Sequence, residues 1–266
     1  MRKIEFVELR KKHAIDLPYP ESQTSEDQIR SIINLLQPQK TNIDLIRLGP
    51  EGDGGYLIPE DLIGIAACFS PGVGTISGFE EDCVAKGIEV FCADRSLENK
   101  PISKEYFHFL DKFIGSENNT DFTTLEEWVN NSCIDQNADL MLQMDIEGFE
   151  FDALEIVPDL LFNRFRIMVI EFHFLDLLID KSYFQKAEIV FKKILKNHLC
   201  VHLHPNNCCG TMDLYSFSVP RIMEFTFIRK NRCVQLCPAH EFPHKHDFSN
   251  IQKTDLPLPK CWYLQN

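Results

Sequence analysis

Acidic and histidine side chains stand at the ends of several apolar segments of this chain: Asp145, Glu171, His173 and His204. If those segments are neighbouring parallel strands, their carboxyl ends meet at one edge of a sheet, and the side chains lie close together. Burying several carboxylates is costly unless each is paired or faces a polar ligand. A histidine that a carboxylate orients can remove a proton from an alcohol. We therefore expect a catalytic site with His173 as the first candidate for general base, His204 as the second, and Asp145 and Glu171 beside them.

The same side chains predict an alternative chemistry. Asp145, Glu171 and His173 offer the oxygen and imidazole ligands with which proteins hold Mg²⁺ or Mn²⁺, and Asn206 offers a further oxygen. A bound cation would lower the pKa of an acceptor hydroxyl. The sequence leaves a metal-free site and a metal-assisted site open.

Polar residues beside these strand ends are candidates for substrate contacts. Glu147 follows Asp145 in the first turn of a predicted helix, where a negative charge suits the helix dipole. Asn206 and Asn207 lie in a turn at 205–210, and their amides could hydrogen-bond to sugar hydroxyls. A purely structural role in the turn is the alternative for both asparagines.

A glycine-rich loop follows the first strand of the regular part of the chain. Gly72 and Gly74 come directly after the predicted strand at 64–70 and before a short predicted helix. Glycine tolerates positive φ and lets a ligand approach the backbone. Asp94 ends the next strand, about 20 residues after Gly74, where a carboxylate can accept hydrogen bonds from ribose hydroxyls. This combination predicts a nucleoside-type ligand beyond the strand tips.

The spacing of the loop leaves the nucleoside unidentified. A third glycine, Gly78, completes a G-x-G-x-x-x-G pattern, which also occurs in some nicotinamide enzymes. Tyr183 and Lys186 are too close in sequence to form the Tyr-x-x-x-Lys pair of short-chain dehydrogenases. A nicotinamide-dependent sugar oxidoreductase or epimerase remains one alternative function, and a non-catalytic nucleoside-binding module remains another.

Composition limits the class of partner. The chain has 266 residues, 44% of them hydrophobic, and can bury one sizeable α/β core. Its 27 basic and 40 acidic residues give a net charge of −13, which argues against a nucleic-acid partner. No apolar run approaches the roughly 18 residues of a membrane span, and the start of the chain lacks a signal peptide. The ten cysteines lack a disulfide framework spacing, so we expect a cytoplasmic protein with reduced thiols.

Strand-like and helix-like segments alternate through the middle of the chain, which predicts a parallel sheet with helices on both faces. The segment at 106–115 is predicted as the third strand, with a helix as the alternative. We divide the chain into an N-terminal helical extension at 1–42, a central domain at 43–230 and an irregular tail at 231–266 that packs on this domain. The extension could pair two chains in a homodimer. The last segments, at 213–219 and 222–228, have no helix between them, and we expect them to pair antiparallel.

Four segments resemble, in this order, the FkbM-type S-adenosylmethionine-dependent methyltransferases: FSPGVGTISGFEEDC, VFCADRS, TLEEWV and LQMDIEGFEFDAL. The strongest motif is Asp145-x-Glu147-Gly148, followed by Glu150. The resemblance implies the class I methyltransferase fold, a Rossmann-like, mostly parallel seven-stranded sheet with helices on both faces and an antiparallel last strand. It also implies O-methylation of a hydroxyl. We expect the acceptor to be a sugar, free or nucleotide-activated, in bacterial surface polysaccharide or secondary metabolite synthesis.

The resemblance also implies roles for the loop residues. Gly72 and Gly74 would approach the methionine part of S-adenosylmethionine, and Asp94 would hold its ribose. Ser70 stands where many methyltransferases have an acidic residue, so Asp53 becomes a candidate to pair with the amino group of the cofactor. The predicted cofactor contacts are Asp53, Gly54, Gly55, Tyr56, Ser70, Gly72, Gly74, Asp94, Arg95 and Asp145.

Overall fold

The structure of the protein is a computed structural model that describes residue 20 and residues 22–96, 107–132 and 135–264. Residues 1–19 and 21 of the predicted N-terminal extension therefore lie outside the described residues. The start of the segment predicted as a third strand, at 106, lies outside them as well. Among the described residues, no helix combines the length and the apolar character that a bilayer crossing requires.

The helices begin where the sequence supplies side-chain caps. The Ser25 hydroxyl accepts the N–H of Gln28, and the Gln28 side chain accepts the N–H of Ser25, which forms a capping box. Asp180 caps the longest helix by accepting two backbone N–H groups. The α-helices are α1 (Glu26–Leu35), α2 (Gly78–Ala85), α3 (Leu125–Ser132), α4 (Glu150–Glu155), α5 (Asp159–Arg164) and α6 (Lys181–Asn197).

The strands differ in length, and the long ones belong to the central sheet. They are β1 (Gln39–Lys40), β2 (Leu45–Leu48), β3 (Tyr56–Pro59), β4 (Ile65–Pro71), β5 (Glu89–Ala93), β6 (Phe107–Leu110), β7 (Phe113–Gly115), β8 (Phe122–Thr124), β9 (Asp139–Met144), β10 (Phe165–His173), β11 (His198–Pro205), β12 (Thr211–Leu214), β13 (Phe217–Pro220), β14 (Ile222–Arg229) and β15 (Cys237–Pro238).

Seven of these strands form one sheet in the order β11-β14-β10-β9-β4-β5-β6. The strands from β10 to β6 pair parallel, and β14 runs antiparallel to both of its neighbours, β10 and β11. The order of the chain reverses between β4 and β9, and ligands of open α/β sheets bind beyond the strand ends at such a point. The expected fold class is confirmed.

Both faces of the sheet are covered. All nine residues of β10 are buried, as is usual for a strand between two layers. Helices α1, α3, α4 and α6 contribute to the apolar cluster on one face. Helix α2 and the antiparallel hairpin β2–β3 contribute to the cluster on the other face. The hairpin thus covers the same face of the sheet as α2.

The predicted antiparallel pairing of 213–219 with 222–228 is wrong. The chain reverses at Tyr215, which has φ 55°, and β12 and β13 form a hairpin of their own. Strand β14 instead inserts between β10 and β11. All but the last of its residues are buried, which requires neighbours on both sides.

The structure also differs from the prediction of one continuous strand at 106–115. The described part of this segment consists of two strands, β6 in the central sheet and β7 paired with β8. Asp111 and Lys112 lie between them as polar residues, and this interruption directs the two halves into different sheets.

The C-terminal segment packs on the central sheet through Trp262. Its side chain is 0% exposed, its ring stands edge-on to Phe225 of β14 at 6.1 Å, and its indole N–H donates to the Ser218 carbonyl at 3.1 Å. The contact therefore combines a large apolar area with a satisfied polar group.

Replacing Trp262 with alanine should lower the free energy of unfolding by about 3–5 kcal/mol, because a large buried side chain is lost and its cavity remains. Urea denaturation followed by circular dichroism measures this change. Ile63→Ala is the control: Ile63 is 95% exposed, and its loss should change stability by less than about 0.5 kcal/mol. Equal effects of the two substitutions would contradict the proposed anchoring of the segment by Trp262.

Candidate active site

A glycine holds the tips of β4 and β9 in direct contact. Gly72 has φ +84°, and a Cβ built on it would lie 1.6 Å from the carbonyl oxygen of Asp145. The Gly72 N–H donates to the Ala93 carbonyl at 2.9 Å, and the Asp145 N–H donates to the Pro71 carbonyl at 3.2 Å. Any side chain at position 72 would separate the strand tips, so this glycine is required by packing.

Gly74 and Asp94 form the part of the loop that fits a nucleoside. Gly74 has φ +58°, and a Cβ built on it would meet no atom closer than 4.0 Å, so open space lies over its backbone. Asp94 accepts the Gly74 N–H at 3.2 Å and the Ser96 N–H at 2.7 Å through different oxygens. A carboxylate in this position can exchange such partners for ribose hydroxyls. The residues present therefore fit the adenosyl part of S-adenosylmethionine.

Two predicted cofactor contacts have protein partners elsewhere. Arg95 lies 2.9 Å from Asp121 in an exposed ion pair. Ser70 is fully buried, and its hydroxyl oxygen lies 2.5 Å from Glu80 Oε1 and 2.6 Å from Gln143 Oε1. A hydroxyl donates only one proton, so when Ser70 donates to Gln143, Glu80 is the donor to Ser70. Burial raises the pKa of Glu80 to about 7, in keeping with a carboxyl group that retains its proton.

The glycine-rich turn between β2 and β3 lies against the loop that follows β4. A Cβ built on Gly54 would lie 3.0 Å from the Ile76 side chain, and one on Gly55 would lie 2.0 Å from the Pro50 carbonyl oxygen. Both glycines are therefore needed for close packing. Asp53 is exposed at the tip of this turn, where its carboxylate can be reached by a ligand.

Tyr56 follows this turn and reaches the acidic side chains. It is 4% exposed, and its ring stands edge-on to Phe79 at 5.6 Å. Burial is the main cause that raises the pKa of Tyr56, and the charges of Asp145 and Glu171 raise it further. The hairpin thus places Tyr56 beside the ends of β9 and β10.

His173 is buried at the end of β10 among four carboxylates. Its Nδ1 lies 3.1 Å from Glu150 Oε1. Its Nε2 lies 3.2 Å from Glu147, 3.6 Å from Glu171 and 3.8 Å from Asp145. Burial lowers the pKa of this imidazole, but the carboxylates, Glu150 first, outweigh burial and raise the pKa to about 9. We call these five residues the acid–histidine cluster.

Two of the three glutamates of the cluster, Glu147 and Glu150, differ in their backbone setting. Helix α4 begins at Glu150, so Glu147 precedes the helix that was predicted to contain it, and has φ 60°. Glu150 is 0% exposed and accepts the N–H groups of Ile146 at 3.2 Å and Gly148 at 2.9 Å. Burial raises the pKa of Glu150, but His173 and the Gly148 N–H outweigh burial and lower it. Glu150 therefore stays ionised.

Strand β14 adds another buried acid to this region. Glu171 on β10 opposes Glu224 on β14, and Glu224 opposes His204 on β11. Opposed residues of neighbouring strands share a face, so these three side chains form a row roughly 10 Å long, which we call the polar row. Asn206 donates to Glu171 at 3.1 Å, and Asn250 donates to Glu224 at 2.9 Å. Burial is the main cause that raises the pKa of both glutamates.

His204 forms a histidine–aspartate pair at the end of the polar row. Its Nδ1 lies 3.7 Å from Asp247 Oδ1, and the same oxygen lies 2.9 Å from His202 Nε2. His204 Nε2 is buried without a hydrogen-bond partner in the described part of the chain. Burial lowers the pKa of His204, and Arg47 lowers it too, but Asp247 and Glu224 raise it to about 9.

Asn207 binds the C-terminal segment. Its amide donates to the Ile251 carbonyl at 3.0 Å, and its side-chain oxygen accepts the Ile251 N–H at 3.0 Å. Of the two asparagines predicted to contact a substrate, only Asn206 therefore touches the polar row.

Sequence reasoning missed several residues of this region: Glu80, Gln143, Glu224, Asp247 and Asn250. A signal existed for Glu224, because a single acid inside an apolar strand must find a buried partner. Asp247 and Asn250 have no local signal, since they reach the site only through the path of the C-terminal segment.

The strand order, with its reversal at β4 and β9 and its antiparallel seventh member, defines a class I methyltransferase fold. Residues 78–193 match the family model described as the methyltransferase FkbM domain. This match confirms the resemblance seen in the motifs of the chain.

Two solved structures show a weaker likeness. A protein from Streptococcus mutans assigned to the SAM-dependent methyltransferases has 12% identity and a TM-score of 0.34, and the match covers 63% of this chain and 46% of that one. A SAM-dependent methyltransferase from Archaeoglobus fulgidus has 12% identity and a TM-score of 0.33, with 62% of this chain and 87% of that one covered. None of the curated proteins compared with the chain matches it.

Glu80→Gln should abolish a pH-dependent loss of stability. The folded pKa of about 7 exceeds the ordinary value of 4.5, so the folded state holds this proton more tightly. The contribution is fully present below about pH 4.5 and is lost as the pH rises through about 7, by up to roughly 3 kcal/mol. The free energy of unfolding of the variant should equal that of the wild type near pH 4.5 and should be larger than that of the wild type at pH 8.

Urea denaturation at a series of pH values measures the difference between the variant and the wild type. Glu126→Gln changes an exposed carboxyl group on α3 that does not act on Glu80, and should leave the pH dependence as it is. A constant difference between Glu80→Gln and the wild type across this range would contradict a buried Glu80 that holds its proton.

Proposed function

We propose that the protein transfers a methyl group from S-adenosylmethionine to a hydroxyl of a sugar, free or nucleotide-activated. One observation carries the proposal: the loop with Gly74 and Asp94 and the acid–histidine cluster lie at the tips of neighbouring strands. The contact of Gly72 with Asp145 joins the two regions directly. A nucleoside held at Asp94 and an acceptor held at the cluster would thus be neighbours.

When bound, S-adenosylmethionine supplies a methyl group on a positively charged sulfur, which an acceptor oxygen can take by in-line displacement. The contribution of the chain is to hold both reactants in line and to remove the proton of the hydroxyl. Asp94 would hold the ribose. Asp53, exposed at the tip of the β2–β3 turn, is our candidate partner for the amino group of the cofactor.

His204 has the better geometry of the two candidate bases. Its Nδ1 faces Asp247, and its buried Nε2 has no hydrogen-bond partner among the residues described. His173 Nε2 instead faces three carboxylates, which favour the protonated imidazole. We assign proton removal to His204, and to the charged His173 the task of holding the acids of the cluster in place.

The composition of the site favours a sugar as the acceptor. Glu147 and Glu171 offer oxygens that accept hydrogen bonds, and Asn206 adds an amide, so adjacent hydroxyls of one ring would find several partners. From the family resemblance we propose a bacterial enzyme of surface polysaccharide or secondary metabolite synthesis. The cysteine spacing supports a cytoplasmic location, and the N-terminal extension is the segment that would pair two chains in a homodimer.

S-adenosylhomocysteine should stabilise the wild type by about 2.7 kcal/mol when its concentration is about 100 times its Kd. Asp94→Asn keeps the shape of the side chain but removes its charge, and should weaken binding about tenfold, which halves that stabilisation. Thermal-shift titration measures both effects, with Asp27→Asn at an exposed position of α1 as the control. Stabilisation by NAD in place of S-adenosylhomocysteine would contradict the proposal.

The rate of methyl transfer should rise with pH up to about 9, because His204 accepts a proton only in its neutral form and its pKa is about 9. Asp247→Asn should move this rise to lower pH, since Asp247 and Glu224 raise the pKa of His204 while Arg47 and burial lower it. His204→Gln should reduce the rate by about 10²–10⁴-fold.

The release of S-adenosylhomocysteine with a panel of sugars and nucleotide sugars measures these rates. Thermal shift by S-adenosylhomocysteine should be unchanged in His204→Gln, which separates proton removal from cofactor binding. A pH profile that Asp247→Asn leaves in place would exclude His204 as the base.

A further inference from the structure

We propose that Asp145, Glu171 and His173 bind one divalent cation, Mg²⁺ or Mn²⁺, and that Glu150 and Asn206 position its ligands. The inference rests on the proposed function, because the cation would bind the acceptor hydroxyls of the same reaction. It goes beyond that function by naming a ligand site and the residues that orient it.

The three candidate ligands converge on one point. Each offers a ligand atom, and these atoms all lie within 4.8 Å of one another. The carboxylates come from the ends of β9 and β10, which are hydrogen-bonded neighbours, so the sheet itself fixes the distance between them. Two carboxylates and an imidazole form a set suited to a hard or borderline cation such as Mg²⁺ or Mn²⁺.

The histidine is oriented as metal ligands usually are. A ligating histidine commonly donates its second ring N–H to a carboxylate, which fixes its tautomer. His173 Nδ1 lies 3.1 Å from Glu150 Oε1, and Glu150 is held in turn by the Gly148 N–H at 2.9 Å. This arrangement directs Nε2 toward Asp145 and Glu171.

A buried oxygen in the cluster supplies an independent indication of a ligand. Glu171 is 3% exposed, and its Oε1 accepts from Asn206 at 3.1 Å. Its Oε2 has no hydrogen-bond partner among the described residues. A buried carboxylate oxygen without a partner is costly, and a cation bound between Glu171, Asp145 and His173 would remove that cost.

The cation would also balance the charge of the cluster. Four carboxylates lie within 3.8 Å of the two nitrogens of one imidazole, and a single imidazolium can offset only one of them. In the metal-free protein, a proton on Nε2 faces Glu147, Glu171 and Asp145. A cation would take the place of that proton.

Three protein ligands leave coordination positions for the acceptor. Mg²⁺ and Mn²⁺ accept about six oxygen or nitrogen ligands, so two adjacent sugar hydroxyls could bind at the open positions. A hydroxyl on the cation would release its proton more readily, and Glu224, which lies between Glu171 and His204 in the polar row, would pass that proton to His204. The cation thus explains why an acceptor would enter a site lined with acids.

Mn²⁺ alone is the probe for this site. We expect the wild type, without S-adenosylmethionine, to remove one equivalent of free Mn²⁺ in a titration followed by electron paramagnetic resonance, and Mg²⁺ to compete. Glu171→Gln, which removes one charged ligand, should weaken Mn²⁺ binding by at least about tenfold. Glu126→Gln, the same change at an exposed position of α3, should leave Mn²⁺ binding unchanged.

Glu150→Gln tests the positioning residue. Its side-chain oxygen would still accept the Gly148 N–H and the His173 Nδ1–H, but without the negative charge that makes the imidazole a stronger ligand. We expect Mn²⁺ binding to fall at least about tenfold here too, while thermal shift by S-adenosylhomocysteine, measured with a chelator present, remains at the wild-type level and shows that the variant is folded.

The outcomes separate this inference from the proposed function. A wild type that responds to S-adenosylhomocysteine but binds no Mn²⁺ would overturn the cation site and leave the methyltransferase proposal in place. Mn²⁺ binding that Glu171→Gln leaves unaltered would also overturn it. A protein that binds Mn²⁺ but not S-adenosylhomocysteine would overturn the proposed function and leave the cation site as assigned.

Discussion

Two buried acids that face each other across neighbouring strands set the main constraint on this structure. Glu171 and Glu224 are direct partners in the pairing of β10 with β14, and both are almost fully buried. Like charges in this position destabilise a sheet, and desolvation adds to the cost. Asn206 donates to one acid and Asn250 to the other. The register of the sheet is therefore tolerable only when the turn after β11 and the C-terminal segment supply these donors.

The cover of the site follows from that requirement. The β2–β3 hairpin and the C-terminal segment meet above the acids, and Arg47 connects them: its guanidinium donates to the Gly52 carbonyl at 2.7 Å and the His246 carbonyl at 3.3 Å. Its charged group also lies 5.1 Å from the ring of Phe248. Two segments far apart in sequence thus form one cover, which gives the acids a low-dielectric setting and strengthens every charge interaction there.

The sequence predicted those features that depend on local patterns. The continuous apolar runs that end in Asp145 and His173 indicate parallel strands, and parallel strands bring their ends to one edge. The position of β14 could not be derived in this way, because insertion between β10 and β11 depends on the whole topology and not on the segment preceding it. The position of Asp247 could not be predicted for a similar reason, because it depends on the course of the C-terminal segment, which has no periodic pattern.

The roles of the glycines show the same division between local pattern and three-dimensional packing. The sequence predicts Gly72 and Gly74 equally as places where a ligand approaches, yet a Cβ at Gly72 would collide with the Asp145 carbonyl, whereas one at Gly74 would point into open space. Only the neighbouring strand distinguishes the two residues. Glycine in a loop therefore indicates that something comes close to the backbone, without saying whether it is ligand or protein.

The glycine of the Asp145-x-Glu147-Gly148 motif is also explained by protein packing and not by the approach of a ligand. A Cβ on Gly148 would lie 2.2 Å from the ring of Phe174, and both Glu147 and Phe174 have left-handed backbones, at φ 60° and 59°. The exits of β9 and β10 therefore turn in the same unusual way and pack on each other. Left-handed conformations of large residues cost free energy and persist where the surrounding structure enforces them. Here the enforced turns place Glu147 on one side of His173 and Glu150 on the other, so the motif fixes the geometry of the cluster through the backbone before any ligand binds.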